Sequence, residues 1–292
     1  MRKKSSKKHG VNSLLNRSQS AMEYLMTYGW AILIIAIVLV ALFSLGIFNS
    51  SNFAPRAQPG SCEVLRNSAQ TSLVGQCNGM LPEYVEVTTG GSTNLTISNS
   101  QVANGYTISF WFLNNTKSSS CTHSLNAYFL NSWEMGMYIP QCFNFGPGSL
   151  AVYVLNNAGT NVGQNVLSAF TAWQNVIIVV NFTKNNVGIY RNGNLAFSIV
   201  PSSTMSPTSI TKINNTGTMM YSNIQLYNIS LSNSSIQALY KEGIGGAPIN
   251  VNNLMGWWPL NGNANDYSGY GNDGTAANVT YTSSWTSGYS AP

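Results

Sequence analysis

Apolar and polar positions follow two different rhythms along this chain. From Tyr24 to Phe48 no charge interrupts an apolar run that includes WAILIIAIVLVALFSLGIF. Its 25 residues, at about 1.5 Å rise each, exceed the roughly 30 Å hydrocarbon core of a bilayer. The run predicts a membrane-spanning helix over 19–48. From about Tyr84 the period drops to two. YVEV, YTISFWF, LAVYVL, NVIIVVNF, NVGIYRNGNLAFSIV, NIQLYNISL and LMGWWPL are short β-branched or aromatic stretches bounded by Asn, Gly, Ser and Pro. That cadence predicts a mainly β sandwich over 84–292, preceded by the one N-terminal helix.

Local signals sharpen the picture. Asn192-Gly193 between two apolar runs predicts a tight hairpin, because both residues tolerate positive φ. SNSSIQALYKEG interrupts the strand cadence with a Ser-rich cap, Ile236, Leu239 and Tyr240 on one face, and a terminating Gly243, which predicts a short helix on the sandwich. Residues 49–83 are polar and carry Pro55 and Pro59, so they read as a linker with a cysteine hairpin.

Charge is sparse and uneven. Six of the 13 Lys and Arg residues precede the apolar run, and beyond it seven cations face seven anions. The positive-inside rule then puts residues 1–18 in the cytoplasm and the body outside, as a single-pass plasma-membrane protein displayed at the cell surface. A cleaved secretory signal would have a shorter apolar core. The neutral body lacks the clustered cations that a nucleic acid requires. Cys62, Cys77, Cys121 and Cys142 all fall on the oxidising side,. Three pairings are open, with the neighbour pairs Cys62 to Cys77 and Cys121 to Cys142 favoured.

QSAMEYLMTYGWAILIIAIVLVALF resembles the class III signal peptide of archaeal type IV pilin-like proteins. The resemblance implies that a prepilin-type peptidase cuts between Ser18 and Gln19, removing a basic leader of residues 1–18. It also implies that Glu23 pairs with the terminal amine of a neighbouring subunit during self-assembly within the lipid bilayer. Ser18 stands where the family carries Gly, and Ala21 where Ser is common.

YVEV, YTISFW, TAWQNVIIVVNFTKNNVGIYRNGNLAFS and YSNIQLYNISLSNSSIQALYKEGI together resemble a laminin-G-like jelly roll of the concanavalin A-like lectin and glucanase superfamily. MGWWPLNGNANDYSGYGNDGTAANV opens such domains but here closes the chain, so 253–282 is expected to supply a permuted closing strand region. The resemblance implies an adhesion or structural protein that binds glycans or other cell-surface polymers.

A surface glycosidase on the same fold is the alternative. Such enzymes need two carboxylates flanking the scissile bond, and Glu83 and Glu86, three apart on a strand, point to opposite faces. His123 has no nucleophile elbow beside it and no CxxC accompanies it for zinc, so no catalytic residue is expected. No cofactor is required by the sequence. Calcium is the one candidate, with Asp266 and Asp273 as charged ligands in the Asn- and Gly-rich loop that also reads as an ordinary turn. Trp257 and Trp258 must face opposite sides of a strand, one in the core and the other covered or available, with Tyr267, to stack on a sugar. Eight exterior Asn-x-Ser/Thr sequons, at Asn49, Asn94, Asn114, Asn181, Asn214, Asn228, Asn233 and Asn278, are about what an Asn-rich composition gives by chance and permit glycosylation.

Overall fold

The computed structural model describes residues 12–45, 54–98, 104–113, 123–129, 134–138, 150–156, 158–167, 172–205 and 209–292, divided into two units, Met1–Phe53 and Ala54–Pro292. In the first unit, α1 (Asn12–Ser44) starts seven residues before the expected helix and ends before Phe48. Its segment Met26–Ser44 is long and apolar enough to cross a membrane. Tyr24 and Tyr28, one turn apart, stack with ring centroids 5.8 Å apart. Ser18, Gln19 and Glu23 all lie inside this helix. The start at Asn12 puts Glu23 beyond the first turn, where the helix dipole has faded.

The second unit is a mainly β sandwich of the jelly-roll kind. It opens with β1 (Arg56–Ala57), β2 (Cys62–Arg66), β3 (Thr71–Gly75) and β4 (Leu81–Pro82), then runs through β5 (Val85–Thr96), β6 (Gly105–Leu113), β7 (His123–Phe129), β8 (Glu134–Tyr138), β9 (Leu150–Leu155) and β10 (Asn161–Leu167). β11 (Gln174–Asn181), β12 (Asn186–Arg191), β13 (Asn194–Ile199) and the long β14 (Ile210–Tyr227) follow. Helix α2 (Asn233–Lys241), β15 (Leu254–Trp258) and β16 (Gly274–Thr282) complete the chain.

The two layers share β14. Its first part lies between β7 and β5, within an order β10-β9-β8-β7-β14-β5-β16. Its second part lies between β6 and β15, within an order β13-β12-β11-β6-β14-β15. The passage between layers is a corner where the registers of three neighbouring strands shift together. β14 shifts between Thr216 and Thr218, β16 between Ala277 and Val279, and β5 carries Gly90 and Gly91 at the same level. Gly91 is required there, because a Cβ would sit 2.1 Å from the carbonyl oxygen of Asn278.

Residues alternate between layers as the period-two reading requires. Ile108, Phe110, Phe112, Val176, Ile178, Ile213, Tyr221 and Trp258 meet in the main core between the sheets. β6 and β11 are buried along almost their whole length, because the outside of their sheet is also covered. Helix α2 lays Ile236 and Leu239 against Ile177, Val179 and Trp257 there. The C-terminal tail brings Trp285 and Tyr289 onto Trp111 and Trp173. The helix is capped as its sequence predicts, Ser232 Oγ accepting from the Ser235 amide at 3.2 Å, and the chain leaves it through Gly243 at φ +80°. Asn192 and Gly193 both hold positive φ, in a two-residue turn between Arg191 and Asn194.

The segment expected as a linker is instead part of the sandwich from Ala54 onward. Ala57, Cys62, Val64 and Met80 pack on Trp257 and Tyr227. Cys62 and Cys77 form a disulfide that closes the hairpin of β2 and β3; Cys121 and Cys142 lie outside the described residues. Exchanging Cys62 and Cys77 for serine is expected to cost about 2–3 kcal/mol, seen as a lower denaturation midpoint without reductant. Entry and exit of the unit come together: Ala54 packs in the same cluster as Trp285 and Tyr289, and Arg56 lies 5.7 Å from the Trp285 ring centroid.

Candidate functional site

The C-terminal loop gathers every residue expected to bind ligand or metal. Trp258 is 0% and Trp257 3% exposed. They do face opposite sides, yet both are covered: Trp258 enters the main core, and Trp257 lies under α2 and the cysteine hairpin. Their indole N–H groups donate to the Asn272 carbonyl and to Asn223 Oδ1, each at 2.8 Å. Tyr267 is half-buried edge-on to Trp257 and receives a bond from Asn263 Nδ2 at 3.0 Å. Of the two readings, covered or available to a sugar, both indoles take the covered one, since sealing large apolar area outweighs presenting it,.

Asp266 has a different task from the one expected. Its Oδ1 accepts from the amides of Trp257 and Ser268, both at 2.9 Å. Its Oδ2 accepts from Ser268 Oγ at 2.8 Å and the Asn272 amide at 2.9 Å. These four donors fill the acceptor positions of a carboxylate and aim their positive ends where a cation would sit. Asp273 Oδ1 is taken by the Asp266 amide at 2.8 Å. Calcium therefore does not fit this donor set, and among the described residues no group of three His, Cys, Asp or Glu could hold a metal. Asp266→Asn places an amide donor against donors and is expected to cost about 1–2 kcal/mol. Adding a chelator to the wild-type protein should leave its melting temperature unchanged.

The loop is fastened by a residue that sequence reasoning passed over. Arg66 donates to the carbonyls of Ser268, Val251 and Leu254 at 2.7, 3.1 and 2.8 Å. Its guanidinium lies 4.0 Å from the ring centroid of Tyr270, which is 51% exposed. No local pattern pairs Arg66 with partners nearly 200 positions away.

The outside of the β10-to-β16 sheet differs in kind from that of its partner. Where Ile213 and Leu95 point inward, their neighbours Asn214 and Asn94 face out, paired across β14 and β5, with Thr275 next in the row on β16. Lys212 with Thr96, and Ser92 with Ala277, flank that row. Thr96 and Thr275 are exposed, while Asn94 and Asn214 are half-buried. The side-chain carbonyl oxygens of both asparagines have no hydrogen-bond partner. The register continues from Asn214 through positions Asn126 and Gly136 to Tyr153 and Gln164.

One ionisable group sits inside the corner. Glu86 is 0% exposed; its carboxylate accepts from Thr93 Oγ1 at 2.6 Å and Asn215 Nδ2 at 2.5 Å. Desolvation dominates over these two bonds and lifts its pKa from 4.5 to about 7. A carboxyl poised near neutrality is a property of catalytic acids, but full burial keeps this one from any substrate. Tyr281, paired opposite it, is pushed upward by burial and by the Glu86 charge.

No protein-family model matches this chain, and no curated protein sequence does. Among solved structures it is similar to a native heptameric SAP-like pentraxin from Limulus polyphemus, with 10% identity and a TM-score of 0.49, covering 68% of this chain and 94% of that one. It is also similar to the binding domain of botulinum neurotoxin DC in complex with rat synaptotagmin II, with 16% identity and a TM-score of 0.45, covering 63% of this chain and 52% of that one. The receptor binding domain of botulinum neurotoxin D follows with 16% identity and a TM-score of 0.44, over 62% and 48%.

Proposed function

We propose that this is a cell-surface binding protein held in the membrane by α1, whose sandwich binds glycans on the outside of the β10-to-β16 sheet. The observation that carries this reading is the polar row across β14, β5 and β16, in which Thr96 and Thr275 are exposed beside the half-buried Lys212, Asn94 and Asn214. Side-chain hydroxyls exchange hydrogen bonds with sugar hydroxyls as both donors and acceptors. On the opposite sheet, α2, the cysteine hairpin and the tail cover β6, β11 and β15. The test is binding of the whole protein in detergent to an array of surface polysaccharides. Thr96→Ala with Thr275→Ala should abolish a binding signal while leaving the melting curve cooperative. Undiminished binding by that double variant would remove the face from consideration.

The anchor part of the proposal keeps the pilin-like reading: cleavage by a prepilin-type peptidase before Gln19, cytoplasmic residues 1–18, and assembly assisted by Glu23. Support comes from the length and apolar character of α1 and from the six cations that precede its apolar run. Terminal sequencing of the membrane-extracted protein decides it. A start at Gln19 supports processing, and an intact Met1 leaves a signal-anchored protein.

A further inference from the structure

Six of the eight sequons lie among the described residues, and their surroundings are far from equivalent. Asn94 and Asn214 stand on strands paired on both flanks, with carbonyl oxygens shut off from solvent. Asn181 accepts from the Lys184 amide at 2.8 Å. Asn228 accepts from Asn253 Nδ2, while its sequon hydroxyl, Ser230 Oγ, is spent on the Val180 carbonyl at 2.6 Å. Asn233 opens α2 and accepts from Tyr190 Oη at 2.8 Å, and its sequon hydroxyl, Ser235 Oγ, is within 3.0 Å of Ser232 Oγ.

Asn233 is exposed too, but among these six only Asn278 is exposed together with its sequon hydroxyl residue, Thr280. Asn278 sits at the register shift of β16 with φ +54°, so it departs from the pleat. Among the described residues β16 pairs with β5 alone, which leaves the backbone around the sequon open to an enzyme.

We propose that Asn278 is a site of N-linked glycosylation, taking an oligosaccharide from a lipid-linked phosphate donor. In the transfer Asn278 Nδ2 forms a bond to C1 of the first sugar. The bond from C1 to the donor's phosphate oxygen breaks, the lipid phosphate leaves with the electron pair, and one amide proton is lost to base. The modification rests on the exterior placement of the sandwich proposed above. A physical consequence follows from where the sugar lands. β16 is a nine-residue edge strand, and unpaired edges recruit strands from other molecules. A hydrated chain rooted in the middle of that edge blocks such pairing.

The test is glycopeptide mass spectrometry on full-length protein purified from its native membranes, combined with protease shaving of intact cells. The peptide containing Asn278 should carry a series of sugar mass increments, and those containing Asn94 and Asn214 should not. Asn278→Gln and Thr280→Ala should each remove the increment and speed migration on a gel, whereas Thr280→Ser should retain it. An Asn278 peptide at its unmodified mass overturns the proposal. In that event shaving separates the causes: a cleaved sandwich means that only the modification is wrong, and a protected one means that the exterior placement falls with it.

Discussion

Replacing Glu86 with glutamine is expected to stabilise the sandwich by about 3 kcal/mol at pH 8 and to flatten its stability between pH 5 and pH 8. The carboxyl lies at 0% exposure inside the corner and ionises near pH 7 when folded, against 4.5 as its ordinary value. Between those values the folded state holds a proton that the unfolded chain has released. Stability from this group is therefore complete below about pH 4.5, declines as pH rises, and is lost once pH passes 7. A displacement of roughly 2.5 units at 1.36 kcal/mol each sets the size of the loss. Glutamine has the same shape, retains a carbonyl for Asn215, and can turn its amide toward Thr93. Urea melts of both proteins at pH 5, 6.5 and 8 check this. A wild-type protein that grows more stable over that range would mean that Glu86 is already ionised at pH 5.

The second large effect is expected at Trp258. Truncation to alanine removes a fully buried ring from the main core and orphans the Asn272 carbonyl that its indole N–H satisfies. Loss of a buried tryptophan costs about 3–5 kcal/mol, which for a domain of this size lowers the melting temperature by roughly 10 °C. The neighbouring strand position is committed to the same ring, because a Cβ at Gly256 would lie 2.1 Å from it. Trp258→Phe should recover part of the loss. Equal melting temperatures for Trp258→Ala and the wild-type protein would contradict this packing.

Where a signal was local, the sequence carried it. Asn192-Gly193 turns because both residues accept positive φ, α2 starts at a serine cap and ends at Gly243, and Trp257 and Trp258 point apart because adjacent strand residues must. Other features depend on distant partners. Residues 54–83 look like a tether because they hold few apolar side chains, yet Val64, Met80 and Leu81 find apolar surface supplied by β15, α2 and the tail. β14 was legible only in its last residues, NIQLY. Its first part, ITKINNTG, reads as polar because one face is meant for the outside and the other holds Asn215 beside Glu86. The candidate site shows the same division. Asn94 and Asn214 are 120 positions apart, and nothing in either neighbourhood announces that β5 and β14 place them side by side. Asp266 was visible as an oxygen donor in a turn-rich loop, but only the fold reveals that four of its own donors surround it.

Ala54 and the Trp285–Tyr289 tail meet in one buried cluster. The sandwich unit, whose first and last segments touch, is nearly a closed ring, so the order of its strands along the chain is a matter of where that ring is opened. Joining the two ends by a short bridge and cutting between α2 and β15 would yield a polypeptide beginning near MGWWPL. Such a rearranged gene would encode the same sandwich, read from another starting point.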